Sequence, residues 1–166
     1  MRGKFIPKRN IKADPKYKSL VVAKWINYIM QDGKKSVAQN IIYNALDEID
    51  SRLKAGKVEN AKKVKDVMEF LDIVLEKIIP VVEVKGRRVG GSNYQIPVPV
   101  KGNRRYFLAF KWLNNAAKAR KGKPMHMRIV EELLDAYQGL GAAVKKREDV
   151  YRMASANRAF AHLAKY

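Results

Sequence analysis

Two short stretches mix glycine with cations in the manner of phosphate-binding loops: Gly86 to Gly91, reading GRRVGG, and Asp32 to Ser36, reading DGKKS. A loop that cradles nucleotide phosphates needs Gly-x-x-x-x-Gly-Lys-Ser/Thr between strand and helix, so that backbone N–H groups line the phosphates and the lysine reaches the last of them. GRRVGG has no such lysine, and DGKKS has Tyr28 where the first glycine belongs. His126 and His162 lie on different predicted helices, in no metal-ligand pattern. The chain has no cysteine, which rules out a thiol nucleophile, a disulfide framework and a cysteine-bearing zinc site. The carboxylate pairs Glu131-Glu132 and Glu148-Asp149 fall near predicted helix starts, where they complement the helix dipole rather than supply an acid and a base. The expectation is therefore a non-enzyme with no cofactor and no metal.

The chemistry that remains is ionic. Across 166 residues, 35 Lys and Arg stand against 16 Asp and Glu, a formal charge of +19. The segment Leu46 to Glu76 is close to neutral, whereas Val84 to Val130 holds twelve Lys and Arg and no acid at all. Such a run repels itself unless a polyanion neutralises it, and nucleic acid is the first candidate. An anionic membrane would call for a basic amphipathic helix with bulky apolar anchors or a lipid signal, and neither is evident. No stretch approaches the roughly 20 apolar residues of a membrane span, and the basic N-terminus leads into no apolar segment, so a soluble, unprocessed protein is expected.

The elements that must position these cations follow from periodicity. Met1 to Lys18 is basic, contains Pro7 and Pro15, and shows no period, so it reads as a basic N-terminal arm. Residues 19–166 read as a single, mainly α domain, a bundle of about six helices with a protruding two-stranded β-hairpin at about 81–100. A first helix carries Leu20, Val21, Trp25, Ile26, Ile29 and Met30 and stops at Asp32-Gly33. A tight turn with Lys34 and Lys35 leads to a second, whose apolar face is Val37, Ile41, Ile42, Ala45, Leu46, Ile49 and Leu53. A third is predicted from an N-cap at Asn60 to just before Pro80. It buries Val64, Val67, Met68, Leu71, Leu75 and Ile78, with Asp66, Glu69, Asp72 and Glu76 outward. Val82 and Val84 alternate with Glu83 and Lys85, and Tyr94, Ile96, Val98 and Val100 alternate with Gln95, Pro97 and Pro99, which makes a ribbon. Gly90 and Gly91 allow a positive φ at its tip, and the prolines block addition of further strands. Tyr94 is either core or a stacking platform for bases.

A fourth helix, roughly Arg104 to Lys121, turns Leu108, Ala109, Phe110, Trp112, Leu113, Ala116 and Ala117 inward. Arg104, Lys111, Asn114, Asn115 and Lys118 share its other side, the three cations at seven-residue steps. Pro124 opens a fifth helix, halted at Gly139 and Gly141, with Met127, Val130, Leu133, Leu134 and Tyr137 inward. A sixth is predicted past Lys145-Lys146-Arg147, with Val150, Met153, Ala154, Phe160, Ala161 and Ala164 as its core stripe and Tyr151, Ser155, Arg158 and His162 opposite.

Four ordered blocks then resemble one family. VEVKGRRVGGSNYQIPVPV followed by RRYFLAFKWL closely resembles the signature of the small-subunit ribosomal protein seven family, bacterial type. DGKKSVAQNIIYNAL and AVKKREDVYRMASANRAFAH look like two further blocks of it, although Gly86 stands where serine is common and Pro99 where an acid is common. The resemblance implies a helical core with a protruding hairpin and a structural constituent of the small ribosomal subunit. It implies a primary binder of ribosomal RNA that nucleates assembly of the head, the 3′ major domain, near the decoding centre and the exit-site tRNA, with small-subunit proteins nine and eleven as neighbours. A cytoplasmic ribosome is the implied location, and an organellar one is compatible. Carried over by position, rRNA contact falls on Arg2, Lys4, Lys8, Arg9, Lys34, Lys35, Lys85, Arg87, Arg88, Arg104, Arg105, Lys111, Lys118, Lys145, Lys146 and Arg147, with Arg152 and Arg158 in matching positions. The tRNA-proximal hairpin residues are Arg87, Arg88, Gly90, Gly91 and Tyr94. A general nucleic-acid-compacting protein that relies on charge alone is the alternative.

Overall fold

Ser19 starts the first helix, α1 (Leu20–Ile29), by accepting the Val21 and Val22 backbone N–H groups on its hydroxyl at 3.2 and 3.5 Å. That satisfies two of the donors a helix start leaves without intrahelical partners. The computed structural model describes residues 10–56, 58, 64 and 66–165, so the cations Arg2, Lys4, Lys8 and Arg9 and the predicted cap Asn60 lie outside the described residues. The elements after α1 are α2 (Lys35–Lys54), α3 (Val67–Ile78), β1 (Val82–Val89), β2 (Ser92–Pro99), α4 (Asn103–Ala119), α5 (Met125–Gln138), α6 (Ala142–Ala156) and a 3₁₀ helix (Arg158–Lys165). The fold is mainly helical with one antiparallel hairpin. The chain divides into two compact units, Met1–Asn40 and Ile41–Tyr166.

In the first unit, Asp14 is buried, and its carboxylate accepts the N–H groups of Lys16 and Tyr17, both at 3.1 Å, in a local turn. Asp14 also donates its own N–H to the Ser19 carbonyl at 3.2 Å, which ties this segment to the start of α1. Along α1 the buried residues are Val22, Trp25, Ile26 and Ile29, one helical stripe. The helix stops as predicted: Asp32 and Gly33 take φ of 52° and 71°, and Lys34 N–H donates to the Gln31 carbonyl at 2.9 Å. Lys35 is already the first residue of α2. The apolar face of α2 differs from expectation at its start, because Ala38 is buried and Val37 is 52% exposed. Ala38 lies one turn before Ile42, in line with Ala45, Leu46 and Ile49, whereas Val37 falls 100° to one side of Ala38.

In the second unit, α3 buries Val67, Phe70, Leu71, Val74, Leu75 and Ile78. Phe70 and Val74 complete the stripe; of the residues expected on it, Met68 is half-buried and Val64 precedes the helix. Asp66, Glu69, Asp72 and Glu76 are exposed, as expected. Helix α3 packs on α5, where Phe70 stacks on Tyr137 at 4.9 Å and Lys77 donates to the Tyr137 carbonyl. Helices α4, α5 and α6 pack on one another, and α6 carries the root of the hairpin. There, Val81 N–H donates to the Tyr151 hydroxyl at 3.0 Å, so Tyr151 is half-buried against the hairpin root rather than on an outward stripe.

Helix α6 begins three residues before Lys145, earlier than predicted. It has no local Ser, Thr, Asp or Asn cap; Gly141 occupies the N-cap, and the carboxylate of Glu132, from α5, accepts Ala143 N–H at 2.9 Å. Glu132 is fully buried, two turns inside α5, so in place of the expected N-terminal role Glu132 makes a capping bond to another helix, while Glu131 pairs with Lys123. The predicted core stripe of α6 holds at Val150 and Ala154; Met153 falls 100° to one side of Ala154 and is exposed, and Ala161 is exposed because the α-helix ends at Ala156 and a 3₁₀ helix with a different period follows. The side chain of Ala164 lies outside the described residues. On α4, Asn114 is buried, against its assigned side, and Trp112 is only half-buried; the packed face of α4 is centred on Phe110, Leu113 and Ala117.

Candidate nucleic-acid interface

The two-residue turn decides the geometry of the ribbon. Gly90 and Gly91 take φ of 57° and 88°, the left-handed values that a tight hairpin turn needs, and they pair Val89 with Ser92. From that register Lys85 lies opposite Ile96, Arg87 opposite Tyr94, and Glu83 opposite Val98. Residues directly opposite in an antiparallel pair share a face. The apolar alternation of β2 therefore shares its face with Glu83, Lys85 and Arg87, while Val82 and Val84 lie on the other face with Pro99 and Pro97. Arg87 and Arg88 occupy opposite faces.

Ile96 is fully buried; the ribbon packs on α6 and the 3₁₀ helix, and Tyr94, on the face of Ile96, meets Phe160 of the latter. The register carries Glu83 inward with it, to 7% exposure. Two of the cations assigned to RNA contact stabilise that carboxylate. Lys85 Nζ lies 2.9 Å from Oε1, and Arg104 Nε and Nη2 donate to Oε2 at 3.1 and 3.0 Å. Burial pushes the Glu83 carboxyl up, but the hydrogen bonds and charges of Lys85 and Arg104 outweigh it and hold the group below its ordinary value of 4.5. Glu83 thus ties the hairpin root to the start of α4. The alternation of Val82 and Val84 with Glu83 and Lys85 does not by itself announce this burial.

On α4, Arg104, Arg105, Lys111, Asn115 and Lys118 are exposed. The three in-register cations stand roughly 10 Å apart along the axis. Phe107 sits between the first two, with Arg104 at 4.8 Å and Lys111 at 5.8 Å from its ring centre, so its quadrupole attracts both. Arg105, Lys111, Lys118, Lys101, Arg87 and Arg88 make no ion pair among the described residues. Other cations of the acid-free tract are withdrawn. Arg120 donates to Glu132 at 2.7 and 3.1 Å and to Asp135, and Lys123 pairs with Glu131. Burial pushes the Arg120 guanidinium down, yet Asp135 and Glu132 raise it on balance.

Within the second turn of α6, Lys145 and Lys146 are exposed, whereas Arg147 is half-buried with its guanidinium 5.8 Å from the Tyr151 ring centre and its Nε unpartnered. Tyr94 packs against Phe160 of the 3₁₀ helix, ring centres 5.1 Å apart, which resolves its two readings in favour of packing. In the first unit, Lys34 and Lys35 are exposed, and Lys35 borders a cleft of about 660 Å³ together with Asn27 and Gln39. No helix among the described residues is long and apolar enough to cross a membrane.

This arrangement offers hydrogen-bond donors and fixed positive charge, in separate patches, to a polyanion. Comparison with known proteins agrees. Residues 1–158 match the family model described as Ribosomal protein S7p/S5e. A protein of Acinetobacter baumannii called small ribosomal subunit protein uS7 is 48% identical over 161 residues, 97% of each chain. The proteins of that name from Acinetobacter baylyi and Bordetella pertussis are each 49% identical over the same length and coverage.

Proposed function

The chain belongs to the ribosomal protein S7p/S5e family and is a structural protein of the small ribosomal subunit, and from that premise we propose that it is a primary rRNA-binding protein that nucleates assembly of the head, the 3′ major domain. The observation that carries this reading is the acid-free tract, whose free cations line the hairpin and the exposed side of α4. On this reading Arg105, Lys111 and Lys118 take phosphates directly, Lys85 and Arg104 take them from the rigid frame set by Glu83, and Lys34, Lys35, Lys145 and Lys146 add exposed contacts. Arg2, Lys4, Lys8 and Arg9 extend the same chemistry into the N-terminal arm. Arg147 supports the hairpin root through Tyr151 more than it reaches outward. The hairpin, with Arg87, Arg88, Gly90, Gly91 and Tyr94, lies beside the exit-site tRNA, near the decoding centre and small-subunit proteins nine and eleven, on a cytoplasmic ribosome.

The test is binding of the full chain to a folded head-domain rRNA fragment over a range of salt. Each neutralised phosphate contributes about −0.7 to −0.9 to the slope of log K against log salt. Replacing Arg105, Lys111 and Lys118 together by alanine is expected to lower the slope by about 2 to 3. Equal affinity for a duplex DNA of matched length at physiological salt would overturn the reading and favour a general compactor of nucleic acid.

A further inference from the structure

The hairpin register separates two surfaces of unequal availability. One face holds Glu83, Lys85 and Arg87 opposite Val98, Ile96 and Tyr94. The chain itself occupies most of it: Ile96 is fully buried, Glu83 is buried and ion-paired, and Tyr94 packs on Phe160. The other face pairs Arg88 with Asn93, Gly86 with Gln95 and Val84 with Pro97. Toward the tip, Gly86, Arg88, Asn93 and Gln95 are all exposed, and toward the root Val84 and Pro97 form a half-buried apolar shelf.

This open face is not built for phosphate alone. A polyanion backbone is attracted by cations, and carboxamides add nothing to that long-range pull. Asn93 and Gln95 each present a carbonyl acceptor and two N–H donors, a set that matches the edges of bases. Gly86 stands directly opposite Gln95, and a methyl group there would come within 3.7 Å of the Gln95 amide. Its absence leaves the amide open from the side. Arg88 opposite Asn93 adds a planar guanidinium that can fork onto a phosphate or stack on a ring. Side chains cannot enter the narrow major groove of duplex RNA, and its shallow minor groove is recognised mostly by shape, so unpaired nucleotides are the substrate that two base-edge-reading amides fit. We propose that the Arg88–Asn93–Gln95 face of the hairpin, and not the Arg87–Tyr94 face, receives unpaired RNA, with the two amides reading base edges. This rests on the reading of the chain as an rRNA-binding protein of the small subunit.

The test uses small subunits reconstituted with the full-length chain, probed with base-specific reagents on rRNA and on bound tRNA. Asn93→Ala with Gln95→Ala, and separately Arg88→Ala, are expected to lose protection at the same few unpaired bases, whose reactivity rises to that of subunits lacking the protein. Arg87→Ala, which removes one phosphate-directed charge from the opposite face, is expected to lower the salt dependence of binding while leaving those bases protected. All four side chains are exposed, so the variants should fold and assemble, which protections elsewhere on the head would verify. The proposal is overturned if Arg87→Ala unmasks those bases, or if the double amide variant leaves every base as protected as the wild type. A wild-type chain that protects no rRNA anywhere would instead sink the underlying function.

Discussion

Replacing Glu83 with glutamine keeps the shape of the side chain, removes its charge and exchanges one acceptor oxygen for an NH₂ donor. Three hydrogen bonds from cations converge on that carboxylate, one from Lys85 at 2.9 Å and two from Arg104 at 3.1 and 3.0 Å. A hydrogen bond to a charged group contributes about 1.5–3 kcal/mol when desolvated. Here the Lys85 and Arg104 side chains are 47% and 48% exposed. Solvent screening therefore brings the total loss to about 1–2 kcal/mol. For a chain of this size that is a fall of about 2–8 °C in melting temperature. The pH dependence identifies the cause. Because the folded-state pKa of Glu83 is depressed, its contribution is complete above its ordinary value of 4.5 and is lost as pH falls through the folded-state value. The gap between wild type and Glu83→Gln, followed by circular dichroism, should be widest at neutral pH and close as the solution is taken below the ordinary carboxylate range. Equal melting temperatures at neutral pH, or a gap that stays constant into acid, would refute the claim that two cations hold a charged carboxylate at the hairpin root.

Glu132→Ala should cost more, about 2–4 kcal/mol in urea unfolding, since it removes the buried cap of α6 and two hydrogen bonds from Arg120, which keeps Asp135; a loss under about 1 kcal/mol would show that α6 needs no cap from α5. Gly141→Ala should lose about 1–3 kcal/mol, because its methyl would lie 2.9 Å from the Glu132 carboxylate and 3.0 Å from the Ala136 backbone nitrogen. In a double-mutant cycle the two losses should fall short of adding, and strict additivity would argue that they act at separate places.

Much of the architecture is local chemistry and could be read without coordinates. The Asp32-Gly33 stop, the Gly90-Gly91 tip, Pro124 before α5 and the Gly139 end are backbone requirements met by the residues that meet them best. The exposed row of Arg104, Lys111 and Lys118 follows from helical period alone. Charge distribution and the ordered motif blocks carried the functional reading as far as RNA and the small subunit.

What the tertiary structure decided is which side of each element wins the core. In β1 the alternation favours Val82 and Val84 as the inward pair, and in β2 it favours Ile96. The two-residue turn sets a register in which both cannot be inward on one face. Ile96 wins, Glu83 is carried in with it, and burial of that charge is tolerated because Arg104, from a different element, lies close enough to neutralise it. The same holds for α6, whose start depends on a carboxylate from α5 that no local capping signal announces. Periodicity describes one element at a time, whereas register and capping between elements depend on which surfaces meet. That is why the strand period alone puts Arg87 and Arg88 on opposite faces, and only the folded ribbon decides which of those faces the chain itself covers.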